Sequence, residues 1–185
     1  MSKTWMIVLG IIVVLALWVG VSYNSLISQN EAADAQWAKV EAQYQRRFDL
    51  IPNLVNSVKG ILTQEQTIFG EIADARTRYS GAATPNARAE AAGEVEGALG
   101  RLLVIMENYP TLNSSANVRD LMSQLEGTEN RISVERSRFN DTIRDYNLSI
   151  KRFPKSIIAG LFGFSERAYF QSAQGADVAP TVNLQ

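Results

Sequence analysis

The chain contains no cysteine and no histidine. Disulfides, thiolate nucleophiles and Cys/His zinc sites are therefore excluded, and no imidazole is present to carry protons near neutral pH. An excess of charge is also lacking: 18 basic residues stand against 19 acidic ones, a formal net of −1 over 185 residues. Nucleic-acid binding draws on a large positive excess, so that function is disfavoured. No G-x-S-x-G, S-x-x-K or G-x-x-x-x-G-K pattern occurs, which removes common hydrolase and phosphate-cradling signatures. A non-enzymatic protein without a cofactor is the expectation, of a length that suits one domain plus attachments.

What the chain does have is one long uncharged run. Trp5 to Tyr23 reads WMIVLGIIVVLALWVGVSY, enough at about 1.5 Å rise per residue to cross a hydrocarbon core of about 30 Å. Trp5, Trp18 and Tyr23 lie toward its ends, where amphipathic rings favour the membrane interface. A cleaved signal peptide has a shorter apolar region followed by small residues; this run is longer and no such site follows, which favours an uncleaved anchor. Lys3 is the only basic residue before the span and Lys39 the first after it, with Glu31 and Asp34 between. The charge asymmetry leans toward an N-terminus inside and a domain outside.

Beyond the anchor, apolar residues recur in steps of three and four: Leu26, Ala33, Trp37, Val40, Tyr44 and Phe48, then Leu54, Val58, Ile61, Ile68, Ile72, Ala75 and Tyr79. Val95, Leu99, Leu102, Met106 and Tyr109 form a third run, and Val118, Leu121, Leu125, Ile132, Phe139, Ile143, Tyr146 and Ile150 a fourth. Such spacing puts an apolar stripe on each helix, and the stripes must pack together. The spacing predicts an all-α protein, a helical bundle behind a transmembrane helix. Thr84-Pro85 reads as a cap and first helical residue, and Pro110 breaks the third helix, with Asn113, Ser114 or Ser115 available to cap the next. Gly93, Gly97 and Gly100 within the third run each cost about 1 kcal/mol relative to Ala, with close backbone packing the expected compensation.

RRFDLIPNLVNSV, residues 46–58, sets a proline in an otherwise helix-forming run. Apolar phase continues through it, which suits one kinked helix. The other reading is a corner, with Asp49 as N-cap and Pro52 in the first turn, where its missing N–H loses no bond. Segment lengths favour the corner. Arg46, Arg47, Asp49, Pro52 and Asn53 would then stand at the membrane-distal end of the bundle as a docking surface for a partner.

The chain resembles the LemA family of bacterial membrane proteins. The segments that carry the resemblance are YNSL at 23–26, RRFDLIPNLVNSVKG at 46–60 and LGRLLVIMENYPTL at 99–112, with LEGTENRI at 125–132, RFNDTIRDYN at 138–147 and FPKSIIAGLFGF at 153–164. The resemblance implies an N-terminal span in the bacterial cytoplasmic membrane followed by an up-and-down antiparallel four-helix bundle, and it supports the corner. It implies association with envelope stress and with membrane-bound metalloproteases, and it assigns no catalytic residue. The expected organisation is an anchor over 1–24, a bundle over 25–151, a basic and apolar segment over 152–171 and a flexible tail over 172–185.

Two further features bear on function. Four-helix bundles can hold metal ions with inward carboxylates, and Glu65, Glu71, Glu107, Glu126, Glu129 and Glu135 are available. Without histidine, solvated pairing with Arg131, Arg136 and Arg144 is the expected role of such acids. The candidates for a buried, paired group are Glu65, on the apolar stripe of the second run, and Glu107, Asn108 and Tyr109 beside Pro110, with Arg46, Arg47 or Arg101 as partners. The second feature is KRFPKSIIAGLFGF, residues 151–164. It either caps the open end of the bundle or lies in the membrane interface, with Lys151, Arg152 and Lys155 at head groups and Phe153, Ile157, Ile158, Leu161, Phe162 and Phe164 below them. A turn at Pro52 would land this segment beside the anchor, whereas an unbroken helix would leave it far away. The expected partners are membrane lipid and either further copies of the chain or another membrane protein. A non-catalytic interaction module and a self-assembling membrane-remodelling protein are the two functional readings.

Overall fold

The computed structural model describes residues 3–62 and 66–170. Glu65 and the tail expected over 172–185 lie outside the described residues. The regular elements are α1 (Lys3–Lys59), α2 (Gln66–Gly81), α3 (Pro85–Glu107), α4 (Pro110–Ser114), α5 (Ala116–Lys151) and α6 (Lys155–Phe162). Among the described residues there is no strand, as the periodicity predicts.

The expected corner at Pro52 is absent: Pro52 lies inside α1, which runs unbroken for 57 residues. A proline in a helix interior forfeits a hydrogen bond at a cost of about 3 kcal/mol. Here the apolar stripe on either side is buried, with Phe48, Ile51 and Leu54 all in the core. Burying three such side chains contributes about 1.5–3 kcal/mol each, which outweighs the lost bond. The helix ends instead at Lys59-Gly60, a basic last turn followed by glycine, which is a common stop signal. Ile61 and Leu62 both donate their N–H to the Val58 carbonyl, at 3.0 and 2.9 Å, and close that end. The Thr84 cap forms as expected: its Oγ1 accepts from the Ala87 N–H at 3.2 Å, with Pro85 as first helical residue. Pro110 does break the third run, and it also starts the short α4.

The chain divides into two compact units. The first comprises Met1–Lys39 and Glu135–Tyr169. In it Leu26, Ala33 and Trp37 of α1 are buried, as are Phe139, Ile143, Tyr146 and Ile150 of α5. Trp37 meets Phe139 edge-on, with ring centroids 5.4 Å apart. The buried Gln36 amide donates to Glu135 Oε2 at 2.7 Å, so a polar group taken from water keeps a partner. Residue numbers rise along α1 as they fall along α5, so the two helices are antiparallel here.

The second unit comprises Val40–Val134 with Phe170–Gln185. Val40, Tyr44, Phe48, Leu54 and Val58 are buried with Ile72, Ala75 and Tyr79 of α2 and Val95, Leu99 and Leu102 of α3. Tyr79 packs edge-on to Phe48 at 4.4 Å and tilted to Tyr44 at 5.7 Å. Burial pushes the Tyr79 phenol up to about 12, because the charged form loses hydration. Arg78 pairs with Glu94 at 2.8 Å and Arg101 with Glu71 at 2.6 Å, which makes α2 and α3 antiparallel.

Gly97 and Gly100 of α3 do not have the expected role. A Cβ built on Gly97 or Gly100 would meet nothing within 4 Å, and both positions are exposed. Each therefore costs helix propensity without a packing return. Gly97→Ala and Gly100→Ala are expected to stabilise the protein by up to about 1 kcal/mol each; a lower melting temperature for either variant would show that these positions need glycine.

Candidate membrane-contact site

Among the described residues, one helix is long and apolar enough to cross a membrane, and its apolar window is wholly exposed. Every residue from 3 to 17 is exposed, whereas Trp18 and Val19 are half-buried. What covers them is the segment after α5. Ile158 and Ala159 of α6 are buried in one cluster with Leu26, Tyr146 and Ile150, and Trp18, Val19, Tyr23 and Phe164 pack against that cluster. The Tyr23 ring lies 4.7 Å from that of Phe162 and 5.8 Å from that of Phe164. The unbroken α1 thus does not carry residues 151–164 away from the anchor, contrary to the expectation. Moving the break from Pro52 to Gly60 leaves the number of long helical passes unchanged, so the end of α5 still returns to Leu26.

The outward face of this segment is apolar too. Ile157 and Leu161, four residues apart in α6, are 57 and 74 % exposed and lie on one side of it, and Phe153, in the turn just before α6, is 81 % exposed. Gly163 ends α6 in the left-handed conformation at φ 76°, which glycine adopts without strain. Residues 164–169 then run back as a strap. Tyr146 donates its hydroxyl to the Ser165 carbonyl at 3.1 Å, and burial raises that phenol above its usual range. Asn147 and the Arg167 backbone exchange two hydrogen bonds, each 2.9 Å. The Arg167 guanidinium reaches α1, where it donates to Asn30 Oδ1 at 3.0 Å and pairs with Asp34. Lys151 pairs with Glu166 at 2.7 Å.

The residues expected at a docking corner lie in mid-helix. Arg46, Asp49 and Asn53 are exposed and Pro52 is half-buried, with Asp49 accepting from the Gln45 amide at 2.8 Å. Arg47 is only 9 % exposed; its Nη1 donates to Glu96 at 3.0 Å and also to Glu129. An arginine held by two carboxylates is not available as a docking side chain.

The LemA family model matches residues 36–184 of the chain. The chain belongs to the LemA family. It is also similar to Magnetosome protein MamQ 2 of Paramagnetospirillum magneticum, at 28% identity over 181 residues, and to Magnetosome protein MamQ of Magnetospirillum gryphiswaldense, at 29% over 181 residues. Each match covers 84% of this chain and 66% of the relative, so the chain spans just under two thirds of the length of these curated relatives. Together with the apolar part of α1, these matches point to a membrane-associated protein.

Among the described residues no group of three or more acids is placed to hold a metal ion. Glu71 faces Arg101, Glu135 pairs with Arg138 at 2.6 Å, and Glu129 is engaged by Arg47. Sequence reasoning missed the pairing of Arg47 with Glu96. Arg47 stands three residues after the buried Tyr44 and four before the buried Ile51, so its place on the apolar stripe was the available signal.

Proposed function

We propose that this chain is a membrane-anchored, non-catalytic scaffold that contacts the bilayer twice, through the apolar part of α1 and through α6. The observation that carries this reading is the seat of α6 on Trp18 and Val19. Trp18 precedes Tyr23 by five residues, about 7–8 Å along a helix. A segment covering it therefore sits at the depth where amphipathic helices bury an apolar face, about 5–10 Å into the head-group boundary. The exposed Phe153, Ile157 and Leu161 match that setting. The fold read as carrying the role is an up-and-down four-helix bundle of α1, α2, α3 and α5, held in the bacterial cytoplasmic membrane. The partner is a second membrane protein, with a membrane metalloprotease of the envelope-stress response as the candidate that the family association favours.

The absence of cysteine makes the membrane contact simple to test, because one introduced thiol carries one label. In the full chain reconstituted in vesicles, a fluorophore at Leu161→Cys is expected to be quenched by lipid-borne quenchers, and one at the exposed Arg138→Cys is not. Equal, weak quenching at both positions would sink the second contact. The apolar face of α6 also supports a second reading, in which many copies wedge into one leaflet and curve it. The mass and composition of the native complex after mild solubilisation separate the two: a stoichiometric second protein supports the scaffold, and a large assembly of this chain alone supports remodelling.

A further inference from the structure

The first unit has a cleft of about 500 Å³ beside the start of α6, lined by Gln29, Ser149, Arg152, Phe153 and Lys155 among others. Among the described residues neither Arg152 nor Lys155 takes part in an ion pair. The Lys155 ammonium instead donates to two hydroxyls, Ser25 Oγ at 2.9 Å and Ser149 Oγ at 3.5 Å. Gln29 donates to the same Ser25 oxygen at 3.1 Å. Asp145, the acid that lines the cleft, is engaged by Arg144 through two contacts of 3.2 and 3.1 Å. Two cations, hydroxyls and an amide thus converge on a space whose one acid is engaged elsewhere.

We propose that this cleft binds the phosphate of an anionic phospholipid head group, with Lys155 and Arg152 as the cationic contacts and Ser149 and Gln29 as neutral donors. A phosphate diester supplies the acceptor oxygens and negative charge that these groups lack. The chemistry suits a charge-assisted contact, with Lys acting as a point charge and Arg as a planar fork. Phe153 is the feature that selects a lipid over free phosphate. It lines the same cleft and is 81 % exposed, so an acyl chain leaving the head group has an apolar side chain to lie against. The proposal rests on the membrane contact of α6, because only a segment at the interface meets head groups. It adds a chemical preference, for anionic over zwitterionic lipid.

The test is native mass spectrometry of the full chain released from neutral detergent after mixing with phosphatidylglycerol, phosphatidylcholine or inorganic phosphate. The wild-type chain is expected to retain one phosphatidylglycerol and to bind phosphatidylcholine about tenfold more weakly, since each basic residue near a lipid surface adds to the affinity for anionic lipid. Arg152→Gln with Lys155→Gln is expected to remove the preference. Arg152→Gln alone, at an exposed side chain with no ion pair to lose, is expected to reduce it without loss of fold. Lys151→Gln, whose charge is already paired with Glu166, leaves it unchanged. Equal retention of both lipids, or an unchanged preference in the double variant, overturns the proposal. So does displacement of the lipid by millimolar inorganic phosphate, which would make this a free-phosphate site. If the label at Leu161→Cys reports bilayer contact while the lipid preference is absent, only the head-group assignment fails and the proposed function stands.

Discussion

Arg47→Ala is expected to lower the unfolding free energy by about 2–4 kcal/mol, while its neighbour Arg46→Ala changes it by less than about 0.5 kcal/mol. The contrast comes from position on one helix. Arg46 is exposed, and an exposed charge contributes little. Arg47 lies in the core layer of the second unit and holds Glu96 of α3 and Glu129 of α5 through one guanidinium nitrogen. Removing it takes away the cation that both carboxylates share, and opens a void beside Leu99 and Leu125, which line the same pocket. Glu96 is 30 % and Glu129 41 % exposed on their side chains, so both can turn toward water, and the loss stays below that of a fully buried pair. Chemical denaturation of the two variants side by side checks this. Similar midpoints for both would mean that the Arg47 pairs add nothing, and the second unit would then owe its register to apolar packing alone.

Ile158→Asp is expected to release α6, and Ile157→Asp to leave it in place. Ile158 is 2 % exposed, and its neighbours in the cluster are Leu26, Tyr146 and Ile150. None of these side chains offers a cation to a carboxylate. Losing the packed side chain costs about 2–5 kcal/mol, and an unpartnered acid adds to that. A short helix attached at one end escapes the cost by detaching. Hydrogen exchange over residues 155–169 in detergent reads this directly: protection is lost in Ile158→Asp and kept in Ile157→Asp, whose side chain already faces outward. In vesicles the Ile157→Asp chain is expected to lose the lipid quenching of a label at residue 161. Retained protection in Ile158→Asp would show that the strap, rather than the apolar cluster, holds α6 down.

Much of this fold is legible in the sequence because its cores are stripes. Tyr44, Val58, Ile72, Leu102, Ile132 and Ile143 all follow three- and four-residue spacing, and all are buried. The turn positions are harder to read. Pro52 and Gly60 both carry stop signals, and proline is the stronger breaker in isolation. Tertiary packing decides between them, since Phe48, Ile51 and Leu54 bury the stripe on both sides of the proline. Sequence spacing does not report that balance. The same limit applies to Arg47: the sequence offers it for a buried pair, but the partner Glu96 comes from a facing helix that spacing does not identify. At the candidate site, the composition of residues 151–164 is legible, as is the choice between a cap and an interfacial segment. In the structure Ile158 faces the cluster, whereas Ile157 is left exposed. The strap is not legible, because Asn147 meets backbone groups of Arg167 that carry no side-chain pattern.

That strap determines where the chain can be shortened. The Arg167 amide and carbonyl are both held by Asn147, and its guanidinium bridges to Asn30 and Asp34. A truncated protein ending at Phe162 would lose the glycine that finishes α6, the Phe164 ring from Tyr23, and the acceptor of the Tyr146 hydroxyl at Ser165. Asn147, buried in the intact chain, would be left with both amide groups unanswered. For anyone trimming this protein for expression or crystallisation, a stop codon ahead of residue 168 removes the latch that fastens the last helix, even though every long helix would still be encoded.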